Sequence, residues 1–165
     1  MTSPILKYLL NCFLLLVPVM LWDLFLTGRL PLPFQPATFW SEIPPVLTYG
    51  ENIVRVLLFM LALLMPLRLE TRRQKIGLIV YTVGMLAYFA SWLILIFDPA
   101  GAWSNSIFGF MAPAYTPLLW LTGIALTGRS FYFSIPYKPW YFILVSAIFL
   151  VFHNIHTFLV YSRVY

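Results

Sequence analysis

Five apolar stretches, at 5–26, 50–67, 76–97, 107–127 and 139–162, leave this chain few folds to choose from. A hydrocarbon layer about 30 Å thick, crossed at about 1.5 Å per residue, takes about 20 residues of helix, close to the length of each stretch. A segment such as LLFMLALLMPL, at 57–67, is apolar on every side and lacks the alternation of a membrane-barrel strand. In hydrocarbon the backbone must satisfy its own hydrogen bonds, and a helix does so within one segment. The expected fold is therefore all-α: a polytopic integral membrane protein with a five-transmembrane-helix bundle as a single domain over 1–165. Composition agrees, since 62% hydrophobic and 9% charged residues with a mean hydropathy of +0.90 exceed what a soluble domain of this size can hide.

The first stretch is read as a retained helix. It is about 20 residues long, carries Asp23 and lacks a small-x-small cleavage site, unlike a signal peptide. Charge then sets the expected orientation. The link between the second and third stretches holds Arg68, Arg72, Arg73 and Lys75, and the link between the fourth and fifth holds Arg129 and Lys138. Basic residues close to helix ends mark the cytoplasmic side, so both links, Lys7 and the N-terminus are expected inside and the C-terminus outside. A plasma (inner) membrane is the expected location. The net charge of +5 does not imply a nucleic-acid partner, because the basic residues lie in short links rather than along one exposed face. The single cysteine, Cys12, excludes an intrachain disulfide and every CxxC motif.

The outward loops have a different chemistry. The segment 27–49 carries Pro31, Pro33, Pro36, Pro44 and Pro45 among Leu, Phe and Trp40, so it is neither a continuous helix nor polar enough to float in water. It is expected to lie on the membrane surface. The segment 98–106 opens with an Asp-Pro turn and carries Trp103, which suits the interface. Together the two loops would roof the outer helix ends.

Ionisable residues inside a membrane cost several kcal/mol unless paired or wet, which makes them the functional candidates. Asp23, Glu51, Arg55, His153 and His156 share one depth range near the outer helix ends. Glu51 and Arg55 are four apart on one helix face, where a carboxylate and a guanidinium meet. Thr48 and Glu51 also match a capping box at a helix start, a purely structural role, while Asn52 and Arg55 extend the polarity further. In FHNIHTF, His153 and His156 are three apart and project to one side of the fifth helix, with Thr157 joining that face and Asn154 pointing elsewhere. Two histidines need at least one more ligand to hold a metal, and Glu51 and Asp23 are the acids at that depth. Interhelical hydrogen bonding competes with both a metal and a ligand role. Pro113 and Pro117 interrupt the fourth helix and free carbonyls there, placing Tyr115 and Thr116 in the break.

The layout of Leu-Val-Pro then Trp-Asp in the first helix, an acid opening the second and Ala-Pro-Ala-Tyr in the fourth is similar to that of the emopamil-binding and sigma-2 receptor group, which binds sterol-like amines. No catalytic motif of that group can be laid on these residues, so the chain is not assigned to it. The helices and histidines are too few for the pattern of ceramidase-like zinc hydrolases. There is no nucleophile elbow, HExxH, P-loop or dinucleotide fingerprint.

The first expectation for function is a binding protein for a small amphipathic or lipid-like ligand, held in an outward-facing pocket by Asp23, Glu51, Asn52, Arg55, Tyr115, His153, His156 and Thr157. One alternative is a lipid-modifying or metal-dependent enzyme using His153 and His156 with Glu51; another is an accessory subunit of a larger membrane complex, or an oligomeric transporter. Expected partners are membrane lipids, a small hydrophobic ligand, and further copies or subunits. No cofactor is named by the sequence.

Overall fold

The computed structural model describes residues 8–165, so Lys7 and the start of the first expected helix lie outside the described residues. The described residues are helical, joined by turns, with one isolated antiparallel bridge between Asn11 and Pro66. Among them, four helical spans are long and apolar enough to cross a membrane: Cys12–Arg29, Pro45–Leu63, Arg72–Phe97 and Pro139–Val164. The segment expected as a fourth continuous helix is the exception.

Proline and capping residues explain the boundaries. The first span begins with a 3-10 turn, Cys12–Leu15, capped by Asn11, whose Oδ1 accepts from Phe13 N–H at 3.0 Å. It becomes an α-helix, α1, over Val17–Leu26, with Pro18 in the first turn, where a missing N–H leaves no helical bond unmade. Helix α2, Pro45–Leu63, starts five residues before the expected 50, because Pro45 suits the first helical turn. Thr48 is thus inside α2 and the expected capping box with Glu51 does not form. The helix stops before Pro66, which cannot continue it. Helix α3, Arg72–Phe97, starts at a capping box of Thr71 and Gln74; the buried Gln74 side chain also donates to Thr127 O at 3.1 Å.

Between Ala102 and Thr127 the chain forms single turns at Ala102–Asn105, Ile107–Phe110 and Ala112–Tyr115, then helix α4, Pro117–Thr127. Pro113 and Pro117 each open a new piece, which is why one 107–127 helix does not form. Asn154 Nδ2 donates to Ala114 O at 3.1 Å, supplying an outside donor within the break. The last helix, α5, covers Pro139–Val164.

Helices α3 and α4 make the closest pair. An added Cβ at Gly77 would lie 2.7 Å from Thr127 N, and one at Gly84 2.8 Å from Leu119 Cβ. Without these side chains the backbones approach closely, as small residues allow between membrane helices. Helix α5 packs against α2 and α4. The core they enclose includes Leu58, Ala62, Tyr81, Tyr88, Trp120, Ile124, Phe142 and Leu150.

The loop between α1 and α2 folds back over the helix ends on its side of the bundle in short turns, Leu32–Phe34 and Pro36–Phe39. Phe34 is buried, with its ring 4.4 Å from that of Phe110 and 5.0 Å, edge-on, from Trp92. At the opposite end, Arg129 pairs with Glu70 at 2.8 Å and Arg73 donates to Gly128 O at 2.9 Å, joining the two basic links.

Candidate functional site

Glu51 is the centre of the polar cluster. It lies one and a half turns into α2, on the face toward α5, and is fully buried. The Arg55 guanidinium, one turn later, donates to its Oε1. His153 Nδ1 lies 3.1 Å from the same oxygen, and His156 Nδ1 lies 2.7 Å from Oε2. Spacing of three on α5 thus brings both imidazoles to one carboxylate.

His156 is buried completely, and its second nitrogen, Nε2, donates to the Phe39 carbonyl at 2.9 Å in the α1–α2 loop. Both ring nitrogens face oxygen acceptors. The Nδ1–Oε2 contact must therefore hold a proton in addition to the one on Nε2, so Glu51 and His156 form a neutral pair or share its proton. The rings of Phe39 and Trp40 pack 4.2 and 4.6 Å from the His156 ring. The Arg55 guanidinium lies 5.6 Å from the Phe149 ring and 6.0 Å from Trp40, within cation–π range.

Beside this cluster is a cavity of about 310 Å³ bounded by α1, α2, α3, α4, α5 and the α1–α2 loop. Asp23, Arg55 and His153 are the carboxylate, guanidinium and imidazole of its lining, and Phe59, Trp22, Tyr88, Trp92, Trp120 and Phe149 supply much of its aromatic wall. Asp23 is exposed toward it, and Tyr88 O–H donates to Asp23 Oδ1 at 3.1 Å. The His153 ring stacks on Phe149 at 5.4 Å. With Nδ1–H directed at Glu51, a neutral His153 carries its lone pair on Nε2.

The other expected site residues are placed differently. Asn52 is exposed, accepting from Arg55 and donating to Thr48 O at 2.9 Å, so it orients the guanidinium rather than lining the cavity. Thr157 is buried and its hydroxyl donates to His153 O at 2.8 Å along its own helix. Tyr115 is exposed, with its hydroxyl on Phe108 O at 3.1 Å, and does not line the cavity. Among the described residues no three His, Cys, Asp or Glu side chains are arranged to hold a metal ion.

Tyr88 is the site residue that sequence reasoning passed over. Tyr81 and Tyr88 are seven apart on one face of α3; Tyr81 O–H donates to Leu15 O at 2.8 Å, while Tyr88 reaches Asp23. Two inward tyrosines at heptad spacing were the available signal. Phe34 and Phe39 gave none, because their position depends on how the loop folds back. Compared with known protein families, characterised proteins and solved structures, the chain matches none.

Proposed function

We propose that this chain is a five-crossing membrane protein, N-terminus inside and C-terminus outside, that holds a small amphipathic or lipid-like molecule in the cavity beside Glu51. The fifth crossing is α4 with the single turns that precede it. The observation that carries the binding reading is the pairing of an aromatic, largely apolar wall with Asp23, Arg55 and His153 in a space of about 310 Å³. Small-molecule sites are mostly apolar, with a few placed polar groups that fix orientation, in spaces of about 300–1,000 Å³. This cavity is at the small end, which favours one ring system or chain over a whole two-tailed phospholipid.

The test is photolabelling in proteoliposomes with a fatty alcohol that carries a diazirine and an alkyne. Labelled peptides should map to the cavity wall, and Val19→Trp, which fills the space from α1, should cut that labelling about tenfold, equivalent to about 1.4 kcal/mol. Leu24→Trp, on an exposed position of α1, is the control. Labelling spread evenly over lipid-facing side chains and indifferent to Val19→Trp would sink the reading.

Orientation has its own test. In a Cys12→Ser background, Arg72→Cys should resist an impermeant thiol reagent in intact cells and Gln35→Cys should react. The reverse pattern would put the cavity and its roof on the cytoplasmic side.

The contact of His153 with Glu51 favours a second reading, in which His153 moves a proton on the bound molecule. A carboxylate that holds Nδ1–H leaves Nε2 as the base. The two readings part on the recovered molecule: unchanged in mass and isomer for a binder, converted in a manner lost in His153→Gln for an enzyme.

A further inference from the structure

Helix α1 turns much of its inner face to the cavity and packs only lightly against the other helices. Leu16, Val19, Asp23, Leu26 and Thr27, three or four apart except at the last step, make that face and all line the cavity. No residue of α1 is buried among the described residues, and its closest backbone neighbours are the turns at its own two ends. Its ties to the bundle are the Tyr88–Asp23 hydrogen bond, the ring of Trp22 stacked 4.2 Å from that of Phe89, and the partly buried Val19 and Trp22 side chains against the core. In a bilayer no hydrophobic force presses such a helix inward, since lipid chains replace the contacts it gives up.

The stretch just before α1 is fastened. Cys12 N–H donates to Met65 O at 2.8 Å, Leu67 N–H to Leu10 O at 3.0 Å and Tyr81 O–H to Leu15 O at 2.8 Å. Between the fastened and the loose parts the backbone changes from 3-10 to α at Leu16, with Pro18 two residues later. Such a junction is where a helix bends. The roof is held on several sides: Phe34 is buried in a cluster with Leu95, Phe110 and Val160, His156 holds Phe39 O, and Arg163 holds Ser41 O.

Resting on the reading of the cavity as a ligand pocket, we infer that its ligand is a bilayer-dissolved molecule that arrives sideways, as α1 swings about Leu16–Pro18 and releases Asp23 from Tyr88. The weak wall faces lipid and the strong wall faces water. The ligand class follows: a mainly apolar body with a small polar group, drawn from the membrane and not from solution.

The experiment compares two reversible locks in a Cys12→Ser background. Trp22→Cys with Phe89→Cys, joined by a short bis-thiosulfonate linker, ties α1 to α3; Ser41→Cys with Arg163→Cys ties the roof to α5. The probe is the diazirine fatty alcohol in proteoliposomes, and the readout is the rate of labelling at the Phe149 peptide before and after reductant. The α1 lock should slow labelling on the order of tenfold and reductant should restore it, while the roof lock changes it less than about twofold, as gating by one wall requires. Slowing by the roof lock, alone or as much as by the α1 lock, overturns the sideways route. Unchanged rates under both locks remove α1 as the gate and leave the pocket reading standing. A reduced protein whose cavity never labels defeats the pocket reading itself, and the route with it.

Discussion

Replacing Glu51 with alanine is expected to lower stability by about 3–5 kcal/mol, the usual consequence of removing one partner from a buried charge network. Arg55 would keep part of its solvation, since about a third of its side chain is exposed. His156 has no such outlet. It is fully buried and would have an empty space where Oε2 stood, 2.7 Å from Nδ1. Glu51→Gln preserves the volume, accepts from Arg55 and donates its amide to His156 Nδ1, so it should cost only about 1–2 kcal/mol. Thermal unfolding of the detergent-purified protein, followed by tryptophan fluorescence, measures both. A midpoint for Glu51→Ala within about 2 °C of the native protein would mean that Glu51 is not the hub, since 3–5 kcal/mol corresponds to roughly 6–20 °C for a chain of this size.

The second large effect is expected at the α3–α4 contact. A Cβ at Gly123 would lie 2.5 Å from Cα and 2.6 Å from Cβ of Tyr81, both fixed parts of a helix. Gly123→Ala must therefore push the helices apart, at about 1–3 kcal/mol for an overpacked site. Gly84→Ala acts on the same interface from the other helix. The double variant should cost less than the sum of the two, because helices already separated by one side chain accommodate the other. The displaced walls carry Tyr88, Trp92 and Trp120, so cavity labelling should fall together with stability. Gly28→Ala is the control, since a Cβ there meets nothing within 4 Å, and a change within about 0.5 kcal/mol is expected. Equal melting of Gly28→Ala and Gly123→Ala would argue against a close α3–α4 contact.

Much of the cluster could be read from local spacing. Glu51 and Arg55 at four residues, and His153 and His156 at three, follow from helix geometry alone, and the structure joins each pair through the Glu51 carboxylate. Spacing also misled where two local signals competed. Thr48 and Glu51 satisfy the capping-box pattern, yet Pro45 starts the helix earlier and places both inside it. In the 107–127 stretch, hydropathy gives one crossing, while Pro113 and Pro117 break it into short pieces.

The sequence by itself determined that the chain is helical, with stretches long and apolar enough to cross a membrane, because a helix satisfies the backbone of such a stretch within one segment. It also determined which ionisable residues could share a depth, since rise per residue converts position directly into distance along a helix. Only the tertiary structure decided what those residues touch. That Glu51 holds two histidines, that Tyr88 reaches Asp23, and that Phe39 offers its carbonyl to His156 depend on the rotation of each helix about its axis and on the path of the α1–α2 loop. Those are set by side-chain packing between segments far apart in the chain, such as Gly123 against Tyr81, and no local pattern encodes them.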